Sequence, residues 1–306
     1  MKNFQSLRKI VTSVFFILVA IFFVYYFRNI DFDAIKDIEL DYPSLSVGIF
    51  VLVAVRYWLS FTWSQMLKML GVCSFSFADS NYVYAKSWLG RYIPGKVAWI
   101  LGKIYFASEY GVAKSKLSIS SLLEAGVQVA VALLIGVALV FFAGAAQLSF
   151  ELKLFMGVSS VGVVVALIPV VFNRIVVLVY KLVKNEELRF TGYDSKLLLK
   201  LIGYYIFSGL LSGISFFFIV NAFSDVGIDN LLYLIGISNL SGAIGILAII
   251  APSGIGVREG VQLVCLQPIL TDEVLVVVLI AGRTLSILAD ILFYFTSLML
   301  KLYNEK

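Results

Sequence analysis

The 306-residue chain has no histidine, only two cysteines and five prolines, and just 14% charged residues. The missing histidine excludes general-base catalysis by imidazole, Ser-His-Asp triads and His-ligated metals. Cys73 and Cys265 form no CxxC pair and are too few for a cysteine zinc site. They read as small apolar residues in hydrophobic segments, and neither a metal nor a cofactor is expected. No GxxxxGK[ST] sequence is present, which argues against direct drive by ATP. What fills the chain instead is apolar: 61% of it, against roughly 45–50% in a soluble domain. The excess lies in long runs such as Val11–Phe27 and Gln128–Gly144. This is the composition of a polytopic integral membrane protein. It excludes a soluble enzyme, a nucleic-acid binder and a secreted disulfide scaffold.

A spanning helix needs about 20 mostly apolar residues. Six runs qualify: Ile10–Phe27, Ser44–Met66, Ser118–Ala143, Leu152–Phe172, Leu197–Phe223 and Glu273–Leu300. Two further hydrophobic stretches are interrupted, Ser80–Ser108 at Pro94-Gly95 and Leu231–Leu270 around Pro252–Gly256. Basic residues set the orientation. The segment 67–117 holds seven basic and two acidic residues, and 173–200 holds six and three, so both face the cytoplasm. The acidic loop 28–43 and the loop 224–230 face out. All placements agree if each interrupted stretch re-enters on its own side. The predicted fold is therefore all-α, six full spans plus two re-entrant helical hairpins, with both termini cytoplasmic.

The plan repeats with opposite orientation. Residues 44–143 and 197–300 each hold a span, an interrupted segment and a second span. The breaks fall 50 residues after Ser44 and 55 after Leu197. The expected organisation is one membrane domain: an anchor helix and outer loop (1–43), repeat 1 (44–143), a linking helix and basic loop (144–196), repeat 2 (197–300) and a tail (301–306). Paired Gly/Pro-interrupted segments in an inverted-topology repeat point to a transport site, because broken helices expose half-helix ends at membrane depth. The plainer reading is that a proline only kinks a helix.

Charges inside spans cost at least ~2.5–3.5 kcal/mol on insertion scales, so each needs a partner or a role. The candidates are Arg56, Lys86, Arg91, Lys96, Glu124, Arg258, Glu259, Arg283 and Asp290. Arg283 and Asp290, seven apart, share one helix face. Arg91 and Lys96 flank the break at Pro94-Gly95. The second break, Pro252 to Gly260, places Gly254 and Gly256 just before a new helix. Its backbone N–H groups, with Arg258, would hold an anion. The functional reading is a cationic cavity for a phosphate-bearing headgroup, with Arg56, Glu124, Arg283 and Asp290 gating it or balancing charge. The plainer one is internal ion pairs, such as Arg258 with Glu124 or Asp290. Gly209 and Gly213 read as close helix packing, and the four tryptophans as interface anchors or packing.

The two break sequences, RYIPGKVAW at 91–99 and PSGIGVREG at 252–260, resemble the transmembrane region of the lysylphosphatidylglycerol synthase family. This flippase-like domain also occurs free-standing. The resemblance covers roughly residues 10–300 and carries over Arg91, Pro94, Gly95 and Lys96, then Pro252, Gly254, Gly256, Arg258 and Glu259. Ser253 stands where the family more often has glycine. No soluble aminoacyl-transferring domain follows the last span, so synthesis of lysyl-lipid is not expected.

The resemblance implies binding or translocation of a lipid with an anionic phospho- or isoprenoid-phosphate headgroup. The setting would be the inner (cytoplasmic) membrane, in envelope lipid or polysaccharide assembly, alongside glycosyltransferases or lipid-modifying enzymes. A homodimer is compatible with it. Two alternatives stand beside this expectation, a non-transporting scaffold for glycosyltransferases and a membrane-embedded transferase acting on a lipid-linked donor.

Overall fold

The computed structural model describes residues 38–72, 75–93, 98–143, 158, 161–184, 195–248 and 251–304. The expected span Ile10–Phe27 and the first part of Leu152–Phe172 lie outside these residues, as do Pro94, Gly95, Lys96 and Cys73. Every regular element among the described residues is helical. They are α1 (Tyr42–Met69), α2 (Phe77–Trp88), α3 (Ala98–Ser108), α4 (Lys114–Ala143), α5 (Pro169–Lys184), α6 (Ser195–Asn221), α7 (Leu231–Leu247), α8 (Val257–Leu266) and α9 (Asp272–Asn304). Short 3-10 turns sit at Leu89–Tyr92, Ile228–Asn230 and Pro252–Gly254.

Five segments are long and apolar enough to cross a membrane: Tyr42–Met69, Lys114–Ala143, Lys196–Asn221, Ile228–Leu247 and Asp272–Asn304. Four coincide with expected spans. The fifth is the first arm of the second interrupted stretch, so the two stretches are built differently. Helices α2 and α3, of 12 and 11 residues, reach only about 18 Å each at 1.5 Å per residue. That is well short of a hydrocarbon core of about 30 Å. In the second stretch α7 has crossing length and only α8 is short.

Local chemistry explains the boundaries. Helix α1 starts after Asp41 with Pro43 in its first turn, where a missing N–H costs nothing. It ends in a Schellman motif: Gly71 has φ +74°, its N–H donates to the Lys68 carbonyl, and the Val72 N–H donates to the Leu67 carbonyl. Helix α2 starts at Ser76, whose hydroxyl accepts the Asp79 N–H at 3.1 Å.

Small residues decide which helices touch, because apolar side chains gain little by leaving lipid for each other. A Cβ on Gly136 of α4 would lie 2.5 Å from the Leu240 nitrogen of α7, and one on Gly236 would lie 2.8 Å from the Val140 nitrogen. The two backbones therefore meet directly. Gly213 of α6 meets Ile235 of α7 in the same way at 2.5 Å, so the Gly209/Gly213 spacing does serve close packing. Asn239 of α7 donates to the Gly209 carbonyl at 2.9 Å. Two large apolar cores and a small third one around Leu52, Ile219 and Ala289 lie among the described residues. Of the large ones, one groups Trp63, Tyr84, Leu123 and Phe293; the other groups Phe217, Leu234, Leu266 and Val278. Arg56, Lys103, Glu124, Glu259 and Asp290 are buried among these helices.

Candidate functional site

Helix α9 supplies the spine of the site. Arg283, Ser286 and Asp290 recur at spacings of three and four, so they share one face. Asp290 is 1% exposed and collects four donors. Its Oδ1 accepts from Arg56 Nε at 2.6 Å and Trp88 Nε1 at 3.2 Å. Its Oδ2 accepts from the Tyr92 hydroxyl at 2.5 Å and pairs with Arg91 Nη2 at 2.7 Å. One carboxylate thus ties α1, α2, the 3-10 turn and α9 together. Ser286 accepts from Arg56 Nη2 at 3.0 Å and Arg91 Nη2 at 3.3 Å.

Aromatic rings hold the guanidinium groups flat. The Trp88 ring lies 4.9 Å from the Arg91 Cζ and 6.0 Å from that of Arg56. Tyr92 stands between Arg91, at 5.0 Å, and Arg283, at 6.0 Å. Such contacts strengthen when water is excluded.

The second break completes the site. Ser253, Gly254 and Gly256 have φ of 50°, 71° and 81°. A Cβ on Gly254 would also lie 2.9 Å from the Gly245 Cα, so only glycine fits there. Serine at 253 tolerates this conformation poorly, since a left-handed φ costs an L-residue about 1–2 kcal/mol. Ser253→Gly is therefore expected to stabilise the protein by about 1 kcal/mol, measured by equilibrium unfolding in detergent micelles. The turn aims α8 so that Arg283 Nη1 donates to the Ser253 carbonyl at 3.1 Å and to Glu259 Oε1 at 3.4 Å.

The helix start is not open. Glu259 Oε2 accepts the Gly256 N–H at 2.7 Å. The protein's own carboxylate thus occupies part of the place expected for an external anion. Arg258 is different: among the described residues it makes no hydrogen bond and no ion pair. The pairs with Glu124 or Asp290 weighed from the sequence do not form, because Arg56 and Arg91 reach Asp290 first and Lys103 holds Glu124. The neighbouring Glu259 attracts Arg258, while Arg91, Arg283 and Arg56 lie close enough to repel it.

Four arginines thus meet two carboxylates, a surplus of two positive charges. Among the described residues, the buried donors Arg91 Nε and Arg283 Nη2 also have no hydrogen-bond partner. Arg258, Arg283 and Glu259 line a narrow cavity with Ser212, Ser238 and Gln262. It holds about 20 Å³, room for about one water. A phosphate fits only if the helices part.

Lys86 stands apart from this cluster, its Nζ 4.0 Å over the Phe106 ring. Glu124 also belongs elsewhere. It pairs with Lys103 of α3 and accepts from the Tyr84 hydroxyl at 2.9 Å. Trp88, Tyr92, Ser286 and Lys103 carry this geometry without having been singled out in the sequence. For Lys103 the signal was there, a single charge inside the apolar run AWILGKIYFAS. Trp88 carries no such mark, since any buried tryptophan reads as packing.

Helices of crossing length around buried arginines define a multi-pass helical membrane protein. Comparison of the chain with protein-family models and with curated proteins gives no match.

Proposed function

We propose that this protein binds and translocates a lipid with an anionic, phosphate-bearing headgroup, in the inner (cytoplasmic) membrane and with both termini in the cytoplasm. The observation that carries the reading is the surplus of two arginines over carboxylates in the cluster, with Arg258 in no ion pair among the described residues and beside a small cavity also lined by Glu259, Gln262, Arg283 and the apolar Leu52, Phe216 and Ile219. A buried cation without a partner is expensive, and a phosphate diester offers the missing charge and oxygens that accept from guanidinium forks. The lipid's tails stay in the bilayer while its headgroup meets the arginines.

The short α2–α3 pair acts as a re-entrant hairpin. Together with α8 it forms the moving part of an inverted repeat. Asp290 and Glu259 stand in for the ligand's phosphate while the site is closed, and the headgroup displaces them when it enters. The resemblance to the flippase-like domain of the lysylphosphatidylglycerol synthases supports the same reading, including a place in envelope lipid or polysaccharide assembly.

The test is lipid mass spectrometry of the purified protein and its Arg258→Ala variant. One anionic lipid is expected to be enriched with the wild type and reduced about tenfold or more in the variant, as loss of a charge-assisted hydrogen bond implies. Stability should hold or rise, since the change removes a partly buried cation that holds no ion pair among the described residues. A bulk-like lipid profile in both proteins overturns the reading.

A further inference from the structure

The negative charge in the arginine cluster is unevenly shared. Asp290 answers two guanidinium groups, those of Arg56 and Arg91, while Glu259 answers Arg283. Arg258 has no ion pair among the described residues. The deficit therefore falls in two places, at Arg258 and at Asp290, where one carboxylate serves two cations.

The open donors fall in the same two places. Arg91 Nε lacks a partner on the guanidinium that pairs with Asp290. Arg283 Nη2 lacks one on the guanidinium that lines the cavity with Arg258. A water could accept from either N–H, but it supplies no charge. The Tyr92 ring stands between the two, 5.0 Å from the Arg91 Cζ and 6.0 Å from that of Arg283. Ser286 joins them, because its Oγ accepts from Arg56 and Arg91 while the residue also lines the cavity. Arg283 and Ser286 are three residues apart on α9, about 4.5 Å of helix rise. Two anion positions so close suit two acidic groups in tandem.

We propose that the preferred ligand is a lipid with a diphosphate in its headgroup, one phosphoryl group against Arg258 and Arg283 and the other against Arg91 and Ser286. The inference rests on the lipid-binding reading and deepens it by naming the headgroup. A single phosphodiester carries one negative charge, which answers Arg258 and leaves Arg56 and Arg91 sharing Asp290. Two phosphoryl groups joined by one oxygen bring a negative charge to each place. With Asp290 and Glu259 still in the cluster, the four arginines are then balanced, and burial costs least when no charge is left over. Arg91 sets the preference for the second phosphoryl group. Lysine in its place keeps a charge beside Asp290 but loses Nε and the planar fork.

Equilibrium binding of tritiated farnesyl diphosphate and farnesyl phosphate to the full-length protein in detergent micelles tests this, since the two ligands share one tail. The diphosphate is expected to bind about tenfold or more tighter, as further charge-assisted hydrogen bonds imply. Arg91→Lys should weaken the diphosphate about tenfold and leave the monophosphate within about twofold, which also shows that the variant is folded. Arg258→Gln should weaken both. Equal affinities in the wild type overturn the proposal, as does a preference that Arg91→Lys leaves intact; saturable binding of both ligands would still uphold the lipid-phosphate reading. Absence of saturable binding by either overturns the two together. A site that takes inorganic diphosphate as tightly as farnesyl diphosphate keeps the paired phosphoryl positions but sinks the lipid.

Discussion

Replacing Asp290 by leucine is expected to lower stability by about 3–5 kcal/mol. The carboxylate accepts from Arg56, Trp88 and Tyr92 and pairs with Arg91. Its removal leaves two guanidinium groups facing each other without a counter-charge. Arginine cannot escape by losing a proton, so the full desolvation cost remains. Ser286 retains contact with both arginines but contributes no charge. Equilibrium unfolding in mixed detergent micelles reads the loss. Adding Arg56→Met to Asp290→Leu removes one of the stranded charges and should recover part of it. Equal destabilisation in the double variant would mean that the arginines are solvated by another route.

Lys103→Met is expected to cost about 3 kcal/mol, less than Asp290→Leu for a definable reason. The group left behind, Glu124, can take up a proton and become neutral, an option closed to arginine. The Tyr84 hydroxyl still reaches it. Lys103→Met/Glu124→Gln should return close to wild-type stability, because an uncharged pair of similar shape fills the space. The coupling energy from this cycle is expected at about 3 kcal/mol or more, read by the same unfolding measurement. A double variant as unstable as Lys103→Met alone would show that the Tyr84, Trp99 and Trp63 rings around the Lys103 ammonium, rather than the charge pair, hold α3 to α4.

Much of the architecture follows from residue type and spacing alone. Runs of 20 or more apolar residues must be helices in a bilayer, since every backbone N–H and C=O needs an internal partner. Four of the five segments of crossing length therefore stand where hydropathy puts them. The Gly254–Gly256 turn was equally legible, because Pro252 removes a helix hydrogen bond and two glycines within the next four residues weaken the helix further. Even the unusual serine was visible as a departure, although its φ of 50° was not.

Partner choice among the charges was the part that spacing could not decide. Arg283 and Asp290 share a helix face, yet one serves Glu259 and the other Arg56 and Arg91. Residue pairs more than 200 positions apart, such as Arg56 and Trp88 with Asp290, meet because α1 and α2 come to lie against α9. Composition and periodicity by themselves determined that this chain is helical, membrane-embedded and cationic at its helix breaks, because those properties depend on the solvent around each segment. Which arginine is paired and which is left open was decided by tertiary packing, since reach between side chains depends on where whole helices come to rest.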